Sequence, residues 1–147
     1  MLRQGAEKAA SEPATPEQSG RMQRGADITP EEAAAMLRAS FNLFARWKLS
    51  DAEARVLLGQ PSPATFYRWK RGQVAAIPAD TVWRLGDLMG IHKALRYLFA
   101  DAERGYGWIR KPSDAFGGRS ALERMLAGAP ADLSAVRAYL DAERGAW

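Results

Sequence analysis

The chain is punctuated for short helices and carries no pattern for strands. Ser, Thr or Pro stands at the head of most apolar runs and Gly at the foot of several. Nowhere do β-branched and polar residues alternate, and no Asn-Gly or Asp-Gly joins two apolar runs. A chain written this way is expected to fold as an all-α protein. Its 147 residues suffice for one ordinary domain or two small ones sharing a core. Complete absence of cysteine removes disulfide frameworks, thiolate zinc sites and cysteine nucleophiles, and favours a reducing, cytoplasmic compartment. No stretch approaches the roughly 18 apolar residues of a membrane span. The opening Met1-Leu-Arg-Gln-Gly lacks the apolar segment of a signal peptide, so neither membrane nor secretion is expected.

Residues 1–27 are rich in Gly, Ala, Ser, Pro, Glu and Gln, with Leu2 and Met22 as the only sizeable apolar side chains. They cannot bury enough surface to offset their ordering entropy and read as a disordered leader, in which Met22 would serve as a start as well as Met1. From Thr29 the pattern changes. Thr29 suits a cap, Pro30 the first helical position, and Glu31 and Glu32 the positive end of a helix dipole. Met36, Leu37, Phe41, Phe44 and Trp47 then form a stripe at helical spacing. Further helices are predicted over 50–58, closed by Gly59; 62–71, closed by Gly72; 78–89, closed by Gly90; and 91–99, 101–109, 120–127 and 132–143. Phe116-Gly-Gly reads as a bend.

The net charge of +4 is concentrated. Residues 1–27 carry four basic and four acidic groups, 28–100 ten and six, and 101–147 seven and seven. Between Glu53 and Asp80 stand Arg55, Arg68, Lys70 and Arg71 with no acid among them. That stretch is a candidate phosphate-facing surface, although a solvated basic face without a partner has the same composition.

Ser50 and Glu53 have capping-box spacing, and Ala54, Leu57 and Leu58 give the short helix an apolar side. Ser62 opens a second helix, Pro63-Ala-Thr-Phe-Tyr-Arg-Trp-Lys-Arg, so two short helices joined by a turn form a helix-turn-helix. At 100° per residue, Phe66 and Trp69 fall inward, and Ala64, Tyr67, Arg68 and Arg71 outward. The expected DNA contacts are Ser62, Ala64, Tyr67, Arg68, Lys70 and Arg71, with the Ser62 hydroxyl and the helix N-terminus holding a phosphate and the arginines reaching base edges or phosphates. Leu49-Ser-Asp-Ala-Glu-Ala-Arg-Val-Leu-Leu-Gly followed by Ser62-Pro-Ala-Thr-Phe-Tyr-Arg-Trp-Lys-Arg-Gly resembles the helix-turn-helix of bacterial and phage repressors of the Xre type. Gln60 and Pro61 stand where that class usually has one residue, which leaves the angle of the second helix open.

In the C-terminal third, Leu122, Met125 and Leu126 give a helix opened by Ser120-Ala-Leu-Glu123 an apolar face, which by itself is core. Gly117-Gly118-Arg119 ahead of that helix reads as a tight bend or a phosphate cradle. Leu133, Val136, Tyr139 and Leu140 form a further apolar stripe, either a partner surface or intramolecular core. The whole string from Trp108-Ile-Arg-Lys-Pro through Phe116-Gly-Gly-Arg-Ser-Ala-Leu-Glu123-Arg-Met-Leu resembles the toxin-binding domain of the Xre/MbcA/ParS antitoxins. That pattern has a tryptophan, a proline four residues on, an apolar-Gly-Gly step and a short helix with an inward glutamate. Trp108, Pro112, Phe116, Gly117, Gly118 and Glu123 supply it here, and Ser120-Ala121 departs where a proline is common.

The resemblance implies a leader at 1–27, an Xre-like helix-turn-helix domain at 28–99 and a small helical toxin-binding domain at 100–147. It implies an antitoxin that dimerises, represses its own operon by binding operator DNA, and occludes the NAD site of a RES-domain toxin encoded next door, a toxin that degrades NAD or transfers ADP-ribose to a protein. The expected toxin contacts are Trp108, Gly117, Gly118, Arg119, Glu123, Val136, Tyr139 and Leu140. Arg144 and Trp147 of the tail add a cation and a flat ring suited to a nucleotide cleft, against the alternative of a frayed end folded back on Tyr139 or Leu140. An enzyme is not expected: His92 is the only histidine, no nucleophile stands with a base, and no metal-ligand spacing links the carboxylates. Neither cofactor nor metal is expected. The competing reading is a stand-alone repressor whose C-terminal helices serve only for dimerisation.

Overall fold

The structure, a computed structural model, describes residues 28–145; the leader and Trp147 lie outside the described residues. Seven α-helices and one 3-10 turn make up the regular structure of the described residues, with no strand among them. α1 (Pro30–Arg46) opens on Thr29, whose Oγ1 accepts from the Glu32 N–H at 3.0 Å while the Thr29 N–H donates to Glu32 Oε1 at 2.8 Å. Ser50 and Glu53 repeat that reciprocal cap for α2 (Asp51–Leu57). After α3 (Pro63–Lys70), an irregular segment leads to the long α4 (Ala79–Leu98). α5 (Ala102–Trp108), the 3-10 turn Asp114–Phe116, α6 (Ala121–Met125) and α7 (Pro130–Arg144) complete the chain.

One expected boundary is corrected. Gly90 does not end a helix: α4 runs through it without interruption, which places His92 inside that helix rather than at the start of another. A glycine closes a helix when the next turn must go left-handed; Gly90 has no positive φ, and the space where its side chain would stand is taken by Arg137.

α4 organises the packing. Its buried Leu85, Leu88, Ile91 and Leu95 join Leu37, Phe44 and Trp47 of the N-terminal part and Leu133, Val136 and Leu140 of α7 in one contiguous apolar cluster. The two halves therefore share a core, and burial of about 25 cal/mol per Å2 of apolar surface holds them together. Arginines stitch the same seam. Buried Arg84 donates from Nη2 to the Gly128 carbonyl at 2.9 Å and from Nε to Asp80 at 2.9 Å, and Arg110 donates to the Trp47 carbonyl at 2.7 Å. Each satisfies a carbonyl that would otherwise end in the interior.

Candidate functional site

The turn between α2 and α3 absorbs its extra residue through two successive left-handed positions, Gly59 at φ +92° and Gln60 at φ +61°. Glycine is required at the first, because a Cβ there would stand 2.7 Å from Asp80 Oδ2. Arg55 then clamps the turn, its Nε donating to the Pro61 carbonyl at 2.9 Å while its own carbonyl accepts from the Gln60 N–H at 2.8 Å. The orientation of α3 is set by these bonds and by Phe66, which is fully buried with its ring centre 5.5 Å from that of Phe41.

With Phe66 and Trp69 turned into the core, α3 shows Ser62, Ala64, Tyr67, Arg68, Lys70 and Arg71 on its exposed side. Four of these are already hydrogen-bonded within the chain. The Ser62 hydroxyl caps its own helix, accepting from the Thr65 N–H at 3.2 Å and donating to Thr65 Oγ1 at 3.0 Å. Lys70 pairs with Asp51 of α2 at 2.7 Å, and the Tyr67 hydroxyl donates to the same carboxylate at 3.2 Å. The Lys70 ammonium, and then the Tyr67 hydroxyl, hold Asp51 below the usual carboxylate range. Sequence reasoning missed Asp51, which stands just outside the acid-free stretch and meets it only through folding. Arg68 bonds Thr65 Oγ1 at 3.1 Å. Arg71 extends from the C-terminal end of the same exposed face.

The C-terminal third presents a second surface of different chemistry. Trp108 and Tyr139, both half-buried, lie parallel with ring centres 6.0 Å apart and planes 5° off, and both meet buried Phe116 edge-on. Beside this cluster Gly117 and Gly118 adopt φ +67° and +85° and expose the backbone, with nothing within 4 Å of where a Cβ would be. The turn is closed by the Ser113 N–H donating to the Arg119 carbonyl at 3.0 Å, which leaves the Arg119 side chain outside.

Two expectations for this surface are corrected, and a third residue, Arg144, is placed. Val136 and Leu140 are 0% and 1% exposed: α7 turns them into the shared core, so in this fold they have no surface to offer a partner. Glu123 is not inward; it is exposed and accepts from the Ser120 N–H at 2.8 Å, closing a capping box. Arg144, expected to reach out with the tail, lies with its guanidinium 5.0 Å from the Tyr97 ring centre. Asp132, at the start of α7, is held below its ordinary pKa, first by its hydrogen bond from Arg124 at 2.8 Å and then by the Ala129 N–H. Among the described residues no His, Cys, Asp and Glu group could hold a metal ion, and no helix is long and apolar enough to cross a membrane.

Comparison with known proteins matches the two parts of the chain to two family models. Residues 26–92 match the antitoxin Xre-like helix-turn-helix domain, and residues 94–145 match the antitoxin Xre/MbcA/ParS C-terminal toxin-binding domain. The uncharacterized protein y4oB of Sinorhizobium fredii (strain NBRC 101917 / NGR234) is 49% identical over 111 residues, covering 76% of this chain and 85% of its own. No solved structure matches the chain.

Proposed function

Because the chain belongs to the Xre/MbcA/ParS family of antitoxins, we propose that it neutralises a RES-domain toxin encoded by an adjacent gene and represses their common operon as a cytoplasmic, non-enzymatic homodimer. Residues 28–99 read the operator and residues 100–147 cover the toxin's NAD site. The observation that supports this division is the pair of exposed surfaces on one core: a cationic helix face at Tyr67, Arg68 and Arg71, and an uncharged aromatic and glycine surface at Trp108, Tyr139, Gly117 and Gly118 ending in Arg119. A groove of phosphates suits the first, whereas a partly apolar cleft lined with polar groups for a nucleotide suits the second. Dimerisation follows from the small size of the reading helix, since two-fold operators compensate the weak binding of one such helix.

The tail takes part through Arg144 and Trp147 entering the NAD cleft. Arg144 would first leave the Tyr97 ring, and an exposed cation–π contact of about 0.5–1 kcal/mol is weak enough to be exchanged.

Co-expression tests the reading. Cells producing the neighbouring RES-domain protein survive only when this chain is present, and removal of residues 144–147 reduces that protection. Equal death with and without the chain defeats the toxin reading, and full protection by the truncated chain defeats the tail insertion alone. On promoter DNA, Arg68→Ala and Arg71→Ala each lower the steepness of affinity against salt by about one counterion; an unchanged slope removes DNA contact from this helix.

A further inference from the structure

Away from both surfaces, the C-terminal half of α1, the middle of α4 and the body of α5 enclose a cleft of about 300 Å3. Asn42 and Arg46 come from α1, Met89, His92 and Arg96 from α4, and Tyr106 from α5. Two guanidiniums line it and no carboxylate does. Three arginines elsewhere are paired with acids: Arg84 with Asp80, Arg124 with Asp132, Arg137 with Asp87 and Asp141. Neither Arg46 nor Arg96 belongs to any ion pair of the described residues. Arg46 instead lies 5.8 Å from the centre of the Tyr106 ring.

His92 also lines the cleft. Its ring is parallel to Tyr106, 6.2 Å between centres and 6° between planes, and its Nδ1 is enclosed with no hydrogen-bond partner among the described residues. Burial first, then the Arg96 and Arg46 charges, hold the imidazole below its ordinary pKa, which favours its neutral form.

We propose that this cleft binds a small aromatic anion, a phosphate monoester or carboxylate carried on a flat ring, with the anionic group between Arg46 and Arg96 and the ring against Tyr106 and Met89. Guanidiniums match the fork of both anions, and a flat apolar wall beside them selects a ring over a bare ion. The volume is at the small end of the range for ligand pockets, roughly 300–1,000 Å3, which favours a mononucleotide-sized or smaller molecule.

Calorimetric titration of the full chain with adenosine 5′-monophosphate, salicylate and inorganic phosphate tests this and separates the two anion types. The proposal expects saturable, submillimolar binding of at least one aromatic anion and none of inorganic phosphate. Arg46→Gln and Arg96→Gln each weaken that binding roughly tenfold, the loss expected of one charge-assisted hydrogen bond, while promoter binding stays unchanged. Nitrogen-15 spectra of the unsubstituted chain give a reading free of folding defects, in which the Nε–H signals of Arg46 and Arg96 shift on addition of the same anions. Absence of binding, binding that survives both substitutions, or equal binding of inorganic phosphate overturns the proposal. So does a toxin complex weakened by Arg46→Gln without any small-anion binding, which would assign the cleft to an acidic side chain of the partner.

Discussion

The guanidinium of Arg137 on α7 lies over Gly90 on α4, where a Cβ would overlap its Nε and Cζ. From that position Arg137 Nη1 donates to the Gly86 carbonyl at 3.2 Å and pairs with Asp87 at 3.3 Å, while its Nε faces Asp141 at 3.5 Å. Asp87 is 4% exposed and also accepts from the Ser134 hydroxyl at 2.9 Å. The missing side chain at Gly90 is thus what lets α7 settle on α4 and keep a buried carboxylate partnered.

Gly90→Ala should therefore destabilise the fold even though alanine is the better helix former by about 1 kcal/mol. Displacing Arg137 removes its ion pair with buried Asp87, a loss of about 2–3 kcal/mol that outweighs the propensity gain. In an Arg137→Ala background the same substitution should raise stability by about 1 kcal/mol. Urea midpoints for the four proteins of this cycle check the reversal of sign, and a stabilising Gly90→Ala in the unsubstituted chain contradicts it.

Asp51 ties up Lys70 and Tyr67 on the helix face proposed here to meet DNA. Asp51→Asn should release Lys70 to phosphate, strengthening promoter binding several-fold at low salt and steepening its salt dependence by about one counterion. Fluorescence anisotropy at a series of salt concentrations reads both quantities. Weaker binding would mean that Asp51 serves instead to position Tyr67.

Tyr139 and Val136 lie one turn apart on α7 and should fail differently. Tyr139→Ala should reduce toxin affinity at least tenfold with a modest change in melting temperature, since its stacked ring is half-exposed. Val136→Ala, at a fully buried position, should cost about 2 kcal/mol of stability and leave the affinity of the folded fraction unchanged. Melting curves and pull-down with the toxin, run on the same preparations, distinguish the two.

His92 is the only histidine of the chain, and its pKa is lowered by burial, Arg96 and Arg46. At low pH the unfolded chain takes up a proton that the folded chain refuses, so stability is complete above the ordinary value of 6.5 and declines as pH falls below it, until the folded pKa is passed. His92→Gln should flatten the difference between urea midpoints at about pH 7.5 and pH 5.5. An equal slope in the variant would place the proton uptake on another group.

What could be read from the sequence is what is decided within a few residues. The caps at Thr29, Ser50, Ser62 and Ser120, the inward pair Phe66 and Trp69, and the helix-turn-helix itself depend on spacing over one or two turns, and each is present in the fold. What only tertiary structure decided are matters of which distant group arrives. Gly90 looks like a stop until Arg137 fills its place. Leu133, Val136 and Leu140 form the same stripe whether a partner or their own core covers them, and the core does so because α4 offers a matching apolar row. Asp51 joins Lys70 and Tyr67 at the exposed face of α3, and Arg46 of α1 comes beside His92 and Arg96 of α4, through helix packing alone. Periodicity states that a face is apolar or charged; which surface meets it is a long-range contact that no local pattern encodes.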